Sequence, residues 1–369
     1  MRATHLLLAA MACSACSSSG NPSDQPAPDA GGSAAQDGPG GSAQDATNTD
    51  ASGGSDATGS PPTSDGGDAA ARAETGTSGD GGPCGTRTGM RGLTSRSMSV
   101  AGMNRTYLVY LPWALAPSTP VPFVFVHHGY TMSGQAMDAI TQYAALADAE
   151  GIGVAFPDGQ GGPNSIGAPW NIGSNVCPAV DGLPQLDATG DDFAFIEAMK
   201  ADVSEDQCLD QAHVFVTGFS SGGYFAHNVG CNVPDIRAVA PHSGGTHDLS
   251  ACPNAHEPII IFHGSSDGTV PDGCDDPAAP TPKGWSGPAS ATAWAAHNGC
   301  GTTTTTTSVT GGTCTYYDGC PADGQVAYCI MRGMGHCWAG GAADGGIYSC
   351  PTYASATQLE WAFFKKYAW

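Results

Sequence analysis

Short apolar, β-branched runs recur through the C-terminal three-quarters of the chain: Phe123–Val126, Ile152–Phe156, Val214–Thr217, Ile236–Ala240, Pro258–Phe262 and Val326–Met331. Unbroken runs of this length predict strands covered on both faces, as in a parallel sheet. An earlier stretch, Arg105–Pro112, alternates Tyr and Val and predicts a further strand. Helical spacing fills the gaps, over Met137–Glu150, Asp191 to about Val203, Ala289–His297 and Tyr353 to about Tyr367. Strand and helix in alternation predict one α/β domain, a mostly parallel central sheet flanked by helices. The run Thr302–Thr307 favours β structure and carries no visible chemistry.

The N-terminal quarter has no such pattern. Residues 1–16 place Arg2 before a short apolar core, Leu6 to Met11, as an export signal does. That core is far below the ~20 residues a membrane span needs. A small residue followed by cysteine (Ala12-Cys13 or Ala15-Cys16) resembles a bacterial lipobox and predicts lipidation at Cys16 or Cys13, with simple cleavage and free secretion as the alternative. Residues 17–83 are Ser, Gly, Ala, Asp, Pro and Thr with almost no large apolar side chains. Such a segment cannot bury enough surface to offset the entropy of ordering and reads as a disordered tether, with an r.m.s. reach of roughly 45 Å. The catalytic domain is therefore expected over residues 84–369.

The chain carries 12 Lys and Arg against 34 Asp and Glu, a formal net charge of −22. Residues 1–83 hold ten of the acidic and two of the basic side chains, which leaves 24 and 10 in the domain, a net of −14 with no basic stripe to neutralise phosphates; this argues against nucleic acid and polyanions and favours neutral substrates. Twelve of the 14 cysteines lie beyond residue 83, an even dozen that in an exported chain predicts disulfides. Among those twelve there is no CxxC pair to suggest zinc, and the pairing is not legible in the spacing.

The stretch His213–His227, HVFVTGFSSGGYFAH, organises the domain. A buried strand passes through Gly218-Phe219-Ser220-Ser221-Gly222 into a helical segment, the context of a nucleophile elbow. Its glycines accommodate a turn in which a Cβ would clash, and Ser220 is the candidate nucleophile. His127-His128-Gly129-Tyr130 follows an early strand, so the backbone N–H groups of Tyr130 and Ser221 are the candidate oxyanion donors. Adjacent histidines on a strand point to opposite faces, which argues against a metal pair there. Asp267 follows the strand Pro258–Phe262 and is the candidate acid; Asp272, Asp275 and Asp276 compete, or together form a loose calcium loop. His336, between glycines after the last strand, is the candidate base, with His242 and His247 as rivals. Asp191 and Asp192 read as helix capping. Trp170, Tyr224 and Trp338 are candidate substrate contacts for an aromatic group. The order Ser220, Asp267, His336, each in a loop after a strand, matches the nucleophile–acid–base order of the α/β-hydrolase fold.

With these residues in view, the domain resembles the secreted esterase family of feruloyl esterases, acetylxylan esterases and polyhydroxybutyrate depolymerase-like lipoproteins. The matching pieces are RTYLVYLP, HHGYTMSG, AFPDG, Trp170-Asn171, GDDFAFI, GFSSGGYFAHNVGC, HGSSDGTVP and GMGHCWAGG. The family usually has Trp-Pro-Gly after the histidine, where this chain has Trp338-Ala339-Gly340. The resemblance implies a disulfide-stabilised α/β-hydrolase fold, Ser220, Asp267 and His336 as a triad, and ester hydrolysis without a cofactor. It leaves open feruloyl esters of plant xylan, acetyl esters and polyesters. A serine peptidase and a non-catalytic carbohydrate-binding lipoprotein are the readings from other classes. A monomer at the cell surface or outside the cell is expected.

Overall fold

The six apolar runs become the six parallel strands at the centre of a ten-stranded sheet. The structure is a computed structural model and describes residues 84, 87, 89–160, 162, 169–172, 191–247, 249–271 and 284–368. The signal, Cys13, Cys16, the tether to residue 83, Cys177, Cys274, Asp272, Asp275 and Asp276 lie outside the described residues.

In chain order, β1 (Gly92–Val100) and β2 (Met103–Leu111) form an antiparallel hairpin. β3 (Val121–His127) follows, then α1 (Gly134–Thr141), α2 (Tyr143–Glu150), β4 (Gly153–Pro157) and α3 (Asp192–Asp206). β5 (Leu209–Phe219) leads into α4 (Ser221–Asn232), with β6 (Ala238–His242), β7 (Gly245–His247) and β8 (Ile259–Gly264) after it. The chain continues through β9 (Gly284–Ser286), α5 (Gly287–His297), β10 (Thr304–Val309), β11 (Gly312–Tyr317) and β12 (Val326–Met331). It ends with the short strands β13 (Trp338–Ala339) and β14 (Ser349–Cys350) and with α6 (Ala356–Phe364). The main sheet runs β1-β2-β4-β3-β5-β6-β8-β12-β11-β10, with antiparallel pairs only at its two margins.

The sheet divides the core into two apolar layers. One holds Phe123, Phe125, Val216, Phe225 and Trp294 beneath α3, α4 and α5; the other holds Val124, Phe215, Phe262 and Trp361 beneath α1, α2 and α6. Alternate residues of β3 and β5 thus feed opposite layers, which is why Phe123–Val126 and Val214–Val216 are apolar without interruption.

Two expectations shift. The single helix over Met137–Glu150 is two helices, because Gln142 takes a left-handed φ of 60° between α1 and α2. Towards the sheet margins, β1 and β11 are legible only in part: the alternating residues of β1 and the partly buried ones of β11 lack the apolar density of the central strands. Asp191 caps α3 through Ala194 N–H, but Asp192 is an interior partner of Arg105 at 2.6 Å. Its other oxygen accepts from Asn171 N–H at 2.6 Å. Burial pushes the Asp192 carboxyl up, against the pull of Arg105.

Among the described residues, ten cysteines pair in five disulfides: Cys84–Cys208, Cys231–Cys252, Cys300–Cys320, Cys314–Cys329 and Cys337–Cys350. Among the described residues the one His/Cys/Asp/Glu group with metal-ligand spacing is Cys231, His247 and Cys252, and its two sulfurs are bonded to each other. Among the described residues no helix is long and apolar enough to cross a membrane.

Candidate active site

β5 stops at Phe219 and α4 starts at Ser221, so a single residue makes the turn between them. Ser220 has φ 55° and ψ −118°, a region a side chain enters only when its surroundings hold it there. Two contacts do so: Ser220 N–H donates to the His242 carbonyl at 2.9 Å, and the Ser220 carbonyl accepts from Tyr224 N–H at 3.0 Å. The flanking glycines are needed because the turn is so tight. A Cβ on Gly218 would stand 2.5 Å from the Gly222 carbonyl carbon, and one on Gly222 would stand 2.7 Å from the His128 carbonyl oxygen.

The loop after β3 lies against this turn. A Cβ on Gly129 would be 3.1 Å from the Ser220 Cβ and 3.2 Å from the Phe219 ring. The loop is held from below by His128, whose Nε2 accepts from Gly159 N–H at 2.8 Å while Nδ1 donates to the Gly129 carbonyl at 2.7 Å. Those roles fix a neutral tautomer, and burial lowers the His128 pKa to about 4. Asp158 ties the far side, accepting from Gly134 N–H at 2.8 Å and from the Thr106 hydroxyl at 2.7 Å. His127 points the other way and bonds the Thr217 carbonyl at 3.2 Å, so the two imidazoles diverge.

Asp267 follows β8. Its Oδ1 accepts from the N–H groups of Thr269 and Val270, both at 2.9 Å, and its Oδ2 lies 2.7 Å from His336 Nδ1. Burial alone would raise this carboxyl; the His336 contact, the Val270 amide and His263 hold it below the ordinary carboxylate range instead. The loop carrying His336 crosses the end of β8 so closely that a Cβ on Gly264 would stand 2.6 Å from the Gly335 carbonyl oxygen. Ser266 N–H donates to the Met334 carbonyl at 2.9 Å, locking the two loops together. The His336 ring then rests on the Phe219 ring, centroids 4.7 Å apart, directly before Ser220.

The structure therefore brings Ser220, Asp267 and His336 to one end of the sheet, with the Tyr130 loop and the first residue of α4 beside them. A reactive hydroxyl, an imidazole held by a carboxylate and two backbone amides are the parts that acyl transfer needs.

No protein-family profile matches the chain. Feruloyl esterase B of Piromyces equi is 27% identical over 241 residues, covering 63% of this chain and 42% of that protein. Feruloyl esterase C of Emericella nidulans is 30% identical over 174 residues, covering 45% of this chain and 56% of that protein. The chain thus spans about half the length of the curated relatives it matches. Among solved structures, an acetyl xylan esterase from Aspergillus awamori superposes with a TM-score of 0.51 at 16% identity, over 74% of this chain and 99% of that one. The fold is that of the α/β hydrolases. In sequence, this chain is similar to feruloyl esterases.

The three aromatic residues expected to face substrate are buried. Trp170, Tyr224 and Trp338 are each only 1% exposed. Trp170 donates from Nε1 to the His128 carbonyl at 2.8 Å and stacks on Phe225 at 5.4 Å. Trp338 donates to the Thr357 hydroxyl at 3.2 Å and stacks on His242 at 4.7 Å. Tyr224 lies beside the charge of Asp267, and burial raises its phenol. Large rings next to a site are often its support, because burying them returns more free energy than leaving them wet.

What sequence reasoning missed is the rim. Ile347 is 85% exposed, and the Tyr348 ring beside it lies 6.0 Å from Phe219. The Cys337–Cys350 disulfide closes the segment that carries them, directly after His336. Neither residue stands in a motif; an isolated Ile-Tyr in a glycine-rich loop gives no periodic signal. The rivals His242 and His247 are also placed: His242 is fully buried, and His247 ends β7 beside the Cys231–Cys252 pair.

Proposed function

We propose that the domain is a serine carboxylic ester hydrolase that works through an acyl-enzyme, with feruloyl-type esters of plant cell-wall xylan as its substrate class. The observation that carries the reading is the Asp267–His336 contact at 2.7 Å, with the imidazole packed on the residue that precedes Ser220. An ionised Asp267 accepts Nδ1–H, which leaves Nε2 unprotonated and able to take the Ser220 proton. Ser220 Oγ then bonds to the ester carbonyl carbon, and the carbonyl oxygen becomes an oxyanion facing the N–H groups of Tyr130 and Ser221. His336 returns its proton to the leaving alcohol as the C–O bond breaks. Water, deprotonated by the same imidazole, releases the acid and restores Ser220.

The homology to feruloyl esterases favours an aromatic acyl group, and Ile347 and Tyr348 at the rim are the described apolar side chains positioned to meet one. Acetyl xylan and polyesters remain the rival substrates within the class. Export to an oxidising compartment is supported by the five disulfides. We extend the proposal to a monomer released or held at the cell surface through a lipid at Cys16 or Cys13.

The test is a burst of phenol from an activated aryl ester by the purified protein. Ser220→Ala is expected to abolish burst and turnover; equal turnover by the variant removes the reading. Methyl ferulate, acetylated xylan and a polyhydroxybutyrate film, compared on the wild type, separate the substrates. Turnover of methyl ferulate is expected to lead.

A further inference from the structure

His242 is fully buried at the end of β6, beneath the site and outside the proposed catalytic set. Its backbone and its side chain hold two different parts of that site. The His242 carbonyl accepts Ser220 N–H at 2.9 Å, and the His242 Nε2 accepts Ala339 N–H at 3.2 Å. Ala339 lies three residues beyond His336, in the segment tied back by Cys337–Cys350. Because Nε2 accepts, the proton sits on Nδ1, which faces the Ser243 hydroxyl at 3.2 Å. The ring stacks on Trp338 at 4.7 Å and on Phe262 at 5.7 Å, both nearly parallel to it.

We infer that His242 is a positioning residue: its imidazole sets the His336 loop against the same strand end whose carbonyl sets the Ser220 elbow, so that base and nucleophile share one support. The inference rests on the proposed roles of Ser220 and His336.

Burial is the first cause that keeps the ring neutral, lowering its pKa to about 3. The charges of His263 and His336 push the same way, and Asp267 opposes them. An imidazole that stays neutral across the working range keeps Nε2 available as an acceptor. A purely apolar ring of the same size would fill the space between Trp338 and Phe262 equally well but would leave Ala339 N–H buried without a partner.

The experiment compares His242→Phe, which keeps the stacked ring and loses the acceptor, with His242→Gln, which keeps an acceptor and loses the ring. Steady-state kinetics on an aryl ester are expected to show kcat for His242→Phe lower by roughly 10²-fold with KM within about twofold, as a misplaced base gives. His242→Gln is expected to recover at least about tenfold of that loss. The Nδ1–H proton resonance of His336 is expected to shift in His242→Phe and to return toward the wild-type position in His242→Gln. Wild-type kcat in folded His242→Phe overturns the inference, as does equal impairment of the two variants. Should His242→Phe not fold, His242→Met replaces it, being close to Gln in size without its amide acceptor. A wild-type protein without esterase activity sinks the proposed function instead, whereas an active wild type with an unimpaired His242→Phe sinks this inference alone.

Discussion

Asp267 Oδ2 and His336 Nδ1 lie 2.7 Å apart although 69 residues separate them in the chain. The contact exists because β8 and β12 are parallel neighbours, which sets the loops that leave their C-terminal ends side by side. The carboxylate side chain has no exposed surface and is fixed by two backbone amides on its other oxygen. Asp267→Asn is expected to keep the fold and lower kcat by roughly 10³–10⁴-fold with little change in KM, since an amide side chain no longer holds the imidazole in the required tautomer. A kcat within tenfold of wild type would remove Asp267 from the proposed set.

Gly129 offers a steric test of the proposed oxyanion loop. An added Cβ would press on Ser220 Cβ at 3.1 Å and on Met132 Sδ at 3.0 Å, tighter than ordinary packing. The loop must then move off the elbow. Gly129→Ala is expected to lower kcat by about 10²-fold, the scale on which a single misplaced oxyanion donor acts, while the melting temperature drops by only a few degrees. Stopped-flow acylation by an aryl ester reads the effect directly.

The Cys337–Cys350 bridge has a sequence separation of 13 residues and closes the loop that follows His336. A loop of that length, when its cross-link is removed, returns about 3 kcal/mol of chain entropy to the unfolded state. Cys337→Ser/Cys350→Ser is expected to lower the unfolding free energy by that amount in denaturant titration. It is also expected to reduce kcat more than the corresponding removal of Cys300–Cys320, which lies between α5 and the β11–β12 connection.

Glu360 supplies a pH test of the core. It is fully buried on α6, accepts from the Tyr143 hydroxyl at 2.6 Å, and burial raises its pKa to about 8. A carboxyl raised in the fold adds stability below its unfolded pKa of about 4.3, and that contribution fades as pH rises through about 8. Glu360→Gln is therefore expected to melt higher than wild type at pH 8, with the gap closing toward pH 5. An unchanged gap across that range would mean that Glu360 does not titrate there.

Histidines 127, 128 and 242 act in the opposite sense. Burial lowers them to about 3, 4 and 3 in turn. A base depressed in the fold contributes stability above its unfolded pKa of about 6.5 and loses it as pH falls toward the folded value. In the Glu360→Gln background, the melting temperature is expected to fall steadily from pH 7 to pH 4.

The central sheet was legible in the sequence because burial on both faces leaves an unbroken apolar run within each of β3, β4, β5, β6 and β8. The elbow was legible because only glycine tolerates the approach of Gly218 to Gly222 and of Gly222 to the His128 carbonyl. Local sterics and local hydrophobicity write themselves into neighbouring residues, so Ser220, and the strand ends from which Asp267 and His336 follow, could be read in order along the chain. What tertiary structure alone decided is which aromatics are inside. Trp170 and Trp338 look like site walls because they sit near site motifs, yet each spends its ring on Phe225 or His242. The same holds for the part inferred for His242, whose partners at residues 220 and 339 come from segments far apart along the chain. Packing is a relation between distant segments, and a linear pattern carries no record of which distant segment will fill a given space.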